Sequence, residues 1–203
     1  MIKYVAMVSL GSFLALGSQV AFAEAPEVVQ ACTACHSEDG FSKDPEVPTI
    51  AGASDYFLEN QMAIFAAEAR PCEADYFEQE SETDAESHCA LASSLSEDEQ
   101  IEAAGYYAGQ PFRAFDQEVD EALAAQGAAI HEANCERCHS DAGTLALDDA
   151  GILAGQPKAY LIEQFEHFKA GERWQPEKMQ PEMDLDDQEM QALAEFYAQS
   201  GLK

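Results

Sequence analysis

The chain has 203 residues, of which 10 are Lys or Arg and 39 are Asp or Glu, giving a formal net charge of −29. Hydrophobic residues make up 47% of the chain, which is enough for a packed core in one ordinary domain or two small ones and excludes a disordered acidic tail, a collagen-like repeat and a polytopic membrane protein. The excess of acid also excludes a sizeable basic surface for DNA or RNA, because phosphates would be repelled.

The first 23 residues have the pattern of a secretory signal peptide. Lys3 precedes an apolar run from Val5 to Leu16, and Ala21-Phe22-Ala23 has the small residues of a cleavage site. The apolar run is shorter than the roughly 20 residues that span a membrane. We therefore predict cleavage after Ala23 and export to the periplasm, where thiols can be oxidised. An uncleaved N-terminal anchor is the alternative.

Two C-x-x-C-H motifs indicate haem attachment. This spacing attaches a c-type haem: the two cysteine sulfurs form thioethers with the haem vinyl groups, and the adjacent histidine binds the iron from one side. A C-x-x-C pair without the histidine also occurs in zinc and redox sites, but here both copies carry it. We predict two covalently bound haem c groups, attached at Cys32 and Cys35 and at Cys135 and Cys138, with His36 and His139 as the proximal iron ligands.

An acidic segment, residues 71–87, lies between the two motifs. Seven of its 17 residues are Asp or Glu and none is Lys or Arg. Cys72 and Cys89 flank most of this segment, and in an oxidising compartment a disulfide between them is the simplest interpretation. A free thiol, or a thiolate bound to iron, is the alternative for either cysteine.

The spacing of apolar residues predicts an all-α protein. Apolar residues recur every three to four positions from Tyr56 to Phe65, from Ala122 to Asn134 and from Tyr160 to Phe168, which is the helix period. Acidic residues after Leu95 and Leu185 predict the N-termini of two further helices. His131 and His167 fall on such helices, and we interpret both as solvated residues rather than ligands.

The chain also repeats itself. Cys32 and Cys135 are 103 residues apart, and the same offset aligns Gln61 with Gln164 and Arg70 with Arg173. Equal spacing over long stretches predicts an internal duplication. We predict a signal peptide at 1–23, a first domain at 24–110 with an acidic insertion at 71–87, a linker at 111–118 and a second domain at 119–203.

In each half, the C-x-x-C-H motif is followed by Ala-Gly, by a helix containing Phe-Leu-x-x-Gln or Tyr-Leu-x-x-Gln, and by an acidic final helix after a leucine. This arrangement resembles the two-haem cytochrome c4 family and is similar to the diheme subunit of flavocytochrome c sulfide dehydrogenase. The resemblance covers nearly all of the chain after residue 23. It implies two tandem class I cytochrome c domains that act as a soluble electron carrier.

The resemblance also implies how each proximal histidine is oriented. A proline usually lies 12 residues beyond the histidine, and its backbone carbonyl accepts a hydrogen bond from the imidazole Nδ1. Pro48 has this position relative to His36, whereas Gly151 has it relative to His139. A glycine keeps the carbonyl but not the rigidity of proline.

The distal iron ligands are where the sequence departs from the family, which usually supplies a methionine shortly before the last helix. In the second half Met179 fits this position better than Met183, which almost adjoins the predicted helix. The first half has no methionine in the equivalent loop, and His88 and Cys89 stand there instead. We predict His88 as the distal ligand of the first haem, with a Cys89 thiolate or an open site as alternatives.

These features predict a periplasmic diheme cytochrome that carries electrons between redox proteins, with a terminal oxidase or a flavoprotein as partner classes. An electron carrier is favoured over an enzyme because iron with two protein ligands has no position for a substrate. The alternative function is a haem-containing subunit or enzyme of inorganic sulfur oxidation, acting on sulfide or thiosulfate. We expect no nucleic-acid partner and at most peripheral association with a membrane.

Overall fold

A computed structural model describes residues 25–72, 87–146 and 150–201. The predicted signal peptide and nearly all of the acidic segment 71–87 lie outside the described residues. Within the described ranges the regular structure is helical and contains no β-strand, as the apolar spacing predicts. None of the helices in these ranges combines the length and the apolar character needed to cross a bilayer.

The helices follow the periodicity of the sequence closely. Along the described chain they are α1 (Gln30–His36), α2 (Asp55–Ala66), α3 (His88–Ser94), α4 (Glu97–Ala108), α5 (Glu121–Ile130), α6 (Lys158–Ala170) and α7 (Asp187–Ser200). Shorter turns complete them: 3-10 turns at Glu27–Val29 and Gln180–Met183, a π-helical turn at His131–Cys135 and a tight turn at Ser140–Gly143. The predicted helix of the second half, 122–134, is therefore α5 continued by the π-helical turn.

The last helix of each half begins with a capping box. The Ser96 side chain accepts from the Glu99 backbone N–H, and the Glu99 carboxylate accepts in return from the Ser96 N–H. Asp186 and Glu189 make the same pair of bonds at the start of α7. Each box satisfies two backbone donors that the helix leaves open, and its acids oppose the positive end of the helix dipole.

Two hydrophobic clusters form the core. In the C-terminal half, α7 packs on α5 and α6, and the backbones of α5 and α7 come so close that a Cβ on Gly127 would lie 2.0 Å from the Ala192 carbonyl oxygen. In the N-terminal half, α2 packs on α3 and α4. The buried members of the C-terminal cluster are Leu161, Phe165, Met183, Leu185, Met190, Leu193, Ala194, Phe196 and Tyr197, and those of the N-terminal cluster are Val29, Ala53, Leu58, Ala104 and Tyr107.

The same turn follows the haem motif in both halves. Gly52 has φ +70° and donates its N–H to the Tyr107 carbonyl at 2.9 Å. Gly155 has φ +77° and donates to the Tyr197 carbonyl at 2.8 Å. A left-handed φ favours glycine, which accounts for the Ala-Gly pair in both halves. The turn ties the loop after each motif to the last helix of its half.

The two halves share an extensive contact. The Gln156 side chain donates to the Thr49 carbonyl at 2.8 Å and accepts from the Thr49 N–H at 2.9 Å. The Trp174 N–H donates to the Ala69 carbonyl at 2.6 Å. Residues 111–120 have no regular structure and run along the C-terminal half, where the Phe115 N–H donates to the Gly155 carbonyl. These bonds fix the loops that carry the candidate site residues of both halves.

Candidate haem sites

The first C-x-x-C-H motif forms the end of α1, so that His36 is the last residue of the helix and points into the core. The His36 ring is 8% exposed, and its Nδ1 lies 2.9 Å from the Pro48 carbonyl oxygen. This is the bond that the resemblance implies, and it leaves Nε2 as the nitrogen that can bind a metal. Burial lowers the pKa of His36 to about 4, against the opposing effect of the Pro48 carbonyl. The ring is therefore neutral near pH 7.

Cys32 and Cys35 lie beside His36 on the wall of a cavity lined by apolar side chains of α2, α3 and α4. Burial raises the pKa of the Cys32 thiol to about 11. Two cysteines one helical turn apart and a histidine directed into an apolar cavity form the donor set of a c-type haem. The first site therefore fits the group that its motif predicts.

His88, the first residue of α3, faces His36 across this cavity. The centroids of the two imidazole rings are 6.1 Å apart, and the ring planes are tilted by 49°. An imidazole nitrogen binds a metal at about 2 Å and lies about 1 Å from its own ring centre, so two ligands on opposite sides of one iron hold their ring centres about 6 Å apart. The observed separation matches that value.

A stack of side chains supports His88. Its ring stacks on the Phe65 ring, with centroids 4.6 Å apart and planes 17° from parallel. The Arg70 guanidinium lies 4.2 Å from the centre of the same Phe65 ring. Burial, together with the nearby His36 and Arg70, lowers the pKa of His88 to about 3. The stack thus holds a neutral imidazole in place, which is the form that binds a metal.

Cys72 and Cys89 form a disulfide in the structure, with their Cα atoms 5.6 Å apart. Cys89 follows His88 directly, and Cys72 lies two residues after Arg70, so the bond joins the start of α3 to the segment that follows α2. Because Cys89 is in this bond, the structure does not place a Cys89 thiolate in the distal position.

The second site also has two cysteines and a histidine, but its backbone conformation differs from that of the first site. Cys135 ends the π-helical turn, Cys138 is exposed, and His139 precedes a turn in which Asp141 and Ala142 have left-handed φ. Burial lowers the pKa of His139, while the Gly151 carbonyl opposes this shift. No partner of His139 Nδ1 meets hydrogen-bond geometry, whereas His36 Nδ1 lies 2.9 Å from the Pro48 carbonyl oxygen.

Gly151 also has a packing reason to lack a side chain. A Cβ at this position would lie 2.7 Å from Cζ of Phe57, a residue of α2 in the N-terminal half. The Phe57 ring therefore covers the loop that faces His139. Sequence spacing alone could not reveal this contact, because it joins the two halves.

Met179 and Met183 both line the cavity that contains His139. Met183 is buried in the C-terminal core at 6% exposure, whereas Met179 is partly buried and packs against the edge of that core. Met183 thus already has a packing role, which leaves Met179 as the thioether with fewer core contacts. The distal assignment to Met179 stays a prediction.

The interpretation of His131 as a solvated helix residue is wrong. Its ring is 3% exposed, Nδ1 lies 2.9 Å from the Tyr197 hydroxyl, and Nε2 lies 2.5 Å from the Glu136 carboxylate. The reason is that α7 packs across α5 and covers this face. His167, by contrast, is partly exposed, and its Nδ1 lies 2.9 Å from the Glu172 carboxylate.

The chain is similar to several proteins of known sequence. The family model described as "Cytochrome C oxidase, cbb3-type, subunit III" matches residues 122–196, which include the second C-x-x-C-H motif. Cytochrome c4 of Pseudomonas aeruginosa is 28% identical over 152 residues, covering 70% of this chain and 68% of that protein. Cytochrome c4 of Stutzerimonas stutzeri is 28% identical over 155 residues, covering 71% and 70%. The chain is a c-type cytochrome, and it is similar to the cytochrome c4 family.

Solved structures agree with this assignment. Reduced recombinant cytochrome c4 from Pseudomonas stutzeri is 25% identical and has a TM-score of 0.68, covering 84% of this cytochrome and 93% of that chain. Cytochrome c4 of Acidithiobacillus ferrooxidans, at 22% identity and a TM-score of 0.67, shares the fold. Thiosulfate dehydrogenase (TsdBA) from Marichromatium purpuratum is 26% identical with a TM-score of 0.67, and this cytochrome covers 38% of that chain. The cytochrome is thus an electron-transfer protein that binds haem c.

Two glutamines and two arginines were noted in the sequence only as matched positions of the repeat. In the structure, Gln61, Gln164, Arg70 and Arg173 all line the cavity that contains both proximal histidines. The sequence feature that marks them is the spacing of nine residues from glutamine to arginine, which is identical in the two halves. Sequence reasoning assigned them no function.

Proposed function

We propose that this cytochrome is a periplasmic diheme electron carrier that receives an electron from one redox protein and passes it to another. The observation that carries the proposal is the pair of facing imidazoles, His36 and His88, at 6.1 Å in a cavity that also holds the second proximal histidine, His139. A carrier needs iron that changes oxidation state without binding a substrate. Two protein ligands at each iron meet that need.

Each haem is attached covalently in this proposal. Cys32 and Cys35 hold the first haem, and Cys135 and Cys138 hold the second. His36 and His88 bind the first iron, and His139 and Met179 bind the second. When bound, haem supplies a reversible one-electron change, and a thioether ligand favours the ferrous state more than an imidazole does. The first haem therefore has the lower potential, and the electron rests preferentially on the second.

The domain organisation follows the internal duplication. Residues 24–110 form the first cytochrome c domain, 111–118 the linker and 119–203 the second domain, after a signal peptide that is removed at Ala23. Matching turns at Gly52 and Gly155 support two equivalent units. A disulfide at Cys72–Cys89 agrees with an oxidising compartment. The partners are periplasmic redox proteins, among which a terminal oxidase or a flavoprotein fits an acidic carrier of this type.

Low-temperature EPR of the oxidised protein tests the ligation. The proposal expects one low-spin signal from bis-histidine iron and one from histidine–methionine iron. Two histidine–methionine signals, or a high-spin first haem, would contradict His88 as the ligand. Mass spectrometry of the purified protein tests the attachment, since two covalent haems add a fixed mass to the mature chain.

The second candidate function is a subunit or enzyme of inorganic sulfur oxidation, and the observation in its favour is the likeness to thiosulfate dehydrogenase over 87% of this chain. An exchangeable His88 would then open the first iron to sulfide or thiosulfate. Addition of carbon monoxide, cyanide or sulfite discriminates the two functions. A spectral change confined to the first haem favours the enzyme, and unchanged spectra favour the carrier. Co-purification with a flavin favours a role as the cytochrome subunit of a flavoprotein.

A further inference from the structure

His131, Glu136 and Tyr197 form a hydrogen-bonded chain of side chains in the second half. The His131 ring is buried, with Nδ1 2.9 Å from the Tyr197 hydroxyl and Nε2 2.5 Å from the Glu136 carboxylate. Phe196 packs against the same ring, with centroids 4.9 Å apart. We refer to His131, Glu136 and Tyr197 as the histidine network. Both nitrogens of a core histidine are thus bonded, which fixes the orientation of its ring.

The histidine network reaches the haem motif at both of its ends. Glu136 lies inside the second C-x-x-C-H motif, and its carboxylate accepts from the backbone N–H groups of Asp141 at 3.0 Å and Ala142 at 3.4 Å. At the other end, burial and then the neighbouring Cys135 sulfur raise the pKa of the Tyr197 hydroxyl. The hydroxyl therefore keeps its hydrogen, and it lies beside one of the two sulfurs that attach the second haem in the proposal above.

The Glu136 carboxylate determines which nitrogen of His131 carries hydrogen. The hydrogen bond from His131, followed by that from the Asp141 N–H, lowers the pKa of Glu136, so this carboxylate is ionised near pH 7 and only accepts. His131 Nε2 must therefore donate. In the neutral ring Nδ1 is then an acceptor, and the Tyr197 hydroxyl donates to it. A second proton on the ring turns Nδ1 into a donor and frees the Tyr197 hydrogen to point at the Cys135 sulfur.

The first half has different residues at the equivalent positions. The offset of 103 residues aligns Val28 with His131 and Thr33 with Glu136. Val28 packs against the N-terminal hydrophobic cluster. The Tyr107 hydroxyl, which corresponds to that of Tyr197, lies 3.4 Å from the Ser37 carbonyl oxygen. Since neither valine nor threonine changes charge in water, the histidine network distinguishes the second haem site from the first.

The titratable groups that face His131 come from the haem motif and from α7. Glu136 and Tyr197 are its hydrogen-bond partners, and neither is a proposed iron ligand. His139 interacts with it electrostatically, because His131, after burial, lowers the pKa of His139. The helix that His131 continues, α5, contains no titratable residue after Glu121. The Glu136 side chain is 43% exposed, so it connects the buried ring to solvent.

A proton on His131 and an electron on the second haem favour each other. Positive charge on the ring stabilises the ferrous iron of a haem attached at Cys135, and a Tyr197 hydrogen directed at the sulfur acts in the same direction. Building on the carrier proposed above, we infer that the histidine network is a proton-binding site coupled to the second haem. One electron from a redox partner reduces the iron as one proton from water binds at His131 Nδ1, and both depart on oxidation.

The test is a spectroelectrochemical titration of the holoprotein at several pH values between 5 and 8, the range in which histidines change charge. The potential of the first haem is the one that His88→Met moves. We expect the potential of the second haem to fall more steeply with rising pH than that of the first, because His131 loses its proton. Equal pH dependence of the two potentials in the wild type would overturn the inference.

His131→Gln should remove the additional pH dependence of the second haem. Glutamine can bond both neighbours of the ring, but it does not titrate. His167→Gln is the matched control, because His167 Nδ1 lies 2.9 Å from the Glu172 carboxylate and forms a second histidine–carboxylate pair in the same half. The control variant should keep the additional dependence. Its loss in His167→Gln, or its persistence in His131→Gln, would show that His131 is not the source.

Glu136→Gln covers the case in which His131→Gln does not fold. It keeps the shape of a partly exposed side chain and removes the charge that stabilises a protonated ring, so the additional pH dependence should move to lower pH. A dependence that stays in place would contradict the inference.

Proton uptake during reduction, followed with an indicator dye in weakly buffered solution, separates the two proposals. We expect the wild type to take up more protons near neutral pH than His131→Gln or Glu136→Gln. Reversible reduction with equal uptake in the wild type and both variants would overturn the inference alone. Loss of reversible reduction in the wild type would instead contradict the carrier proposal.

Discussion

His36 and His88 come from helices 52 residues apart in the chain, yet their imidazole rings face each other with centroids 6.1 Å apart. Each ring is held independently, His36 by the Pro48 carbonyl and His88 by the Phe65 ring. A pair of ligands that the protein has already oriented needs little rearrangement to bind iron between them. Substitution of either histidine should therefore change the ligation of the first haem.

Replacing His88 with methionine should raise the reduction potential of the first haem, because a thioether favours ferrous iron more than an imidazole does. The bis-histidine EPR signal should disappear at the same time. Potentiometric titration and low-temperature EPR measure the two effects. His167→Met is the matched control, since His167 lies on α6 and bonds Glu172 at the surface. An unchanged first haem in His88→Met would show that another residue binds the iron.

Removing the disulfide should destabilise the first half. Cys72 and Cys89 close a loop with a sequence separation of 17, and a crosslink of this size contributes about 3 kcal/mol by restricting the unfolded chain. We expect the double variant Cys72→Ser/Cys89→Ser to lose about that much free energy of unfolding in urea. Because His88 precedes Cys89, the spectrum of the first haem should respond before that of the second.

The control for this variant is chemical. A thiol reductant should destabilise the wild-type protein to the same extent and leave the double variant unaffected. Equal stability of the wild type and the double variant in the absence of reductant would rule out a stabilising disulfide.

Two helical glycines offer a matched test of helix packing. Gly127→Ala should destabilise the protein by about 1–3 kcal/mol, because the added Cβ would lie 2.0 Å from the Ala192 carbonyl and force α5 and α7 apart. Gly105→Ala in α4 should stabilise by about 0.5–1 kcal/mol, because nothing lies within 4 Å of its Cβ and alanine is the better helix former. Thermal or urea unfolding measures both. Equal effects of the two substitutions would contradict the close crossing.

Because His131 is buried against Tyr197, we expect the equivalent residues Tyr197 and Tyr107 to contribute unequally to the free energy of unfolding. Tyr197→Phe removes the hydroxyl that bonds His131 at 2.9 Å and should lower the free energy of unfolding by about 1–3 kcal/mol, because a buried polar atom loses its partner. Tyr107→Phe should cost less, since the Tyr107 hydroxyl makes a longer bond of 3.4 Å to the Ser37 carbonyl. A larger loss in Tyr107→Phe would argue against the role of His131.

Features encoded over short stretches of sequence were predictable. The 3.6-residue period located α2 and α6 to within two residues, and the acidic starts of α4 and α7 form capping boxes. The all-α fold follows from these local patterns. The haem motifs are also local, because one helical turn sets the spacing of their cysteines.

Features that depend on contact between distant residues were not predictable. His131 looked like a surface residue because nothing in its own helix shows that Tyr197, 66 residues away, covers it. The spacing of Gln61 and Arg70 was visible in both halves, but the crossed bonds to Gln164 and Arg173 depend on how the halves pack. The choice between Met179 and Met183 is of the same kind, since both line one cavity.

The Phe57 ring above Gly151 has a consequence for the order of assembly. A ribosome makes the N-terminal half first, so α2 and its phenyl ring exist before the loop that they cover. We expect the second haem pocket to close only on a completed first half, because Phe57 of α2 covers the loop that faces His139. The two haem pockets would then form in sequence, the N-terminal pocket before the C-terminal one.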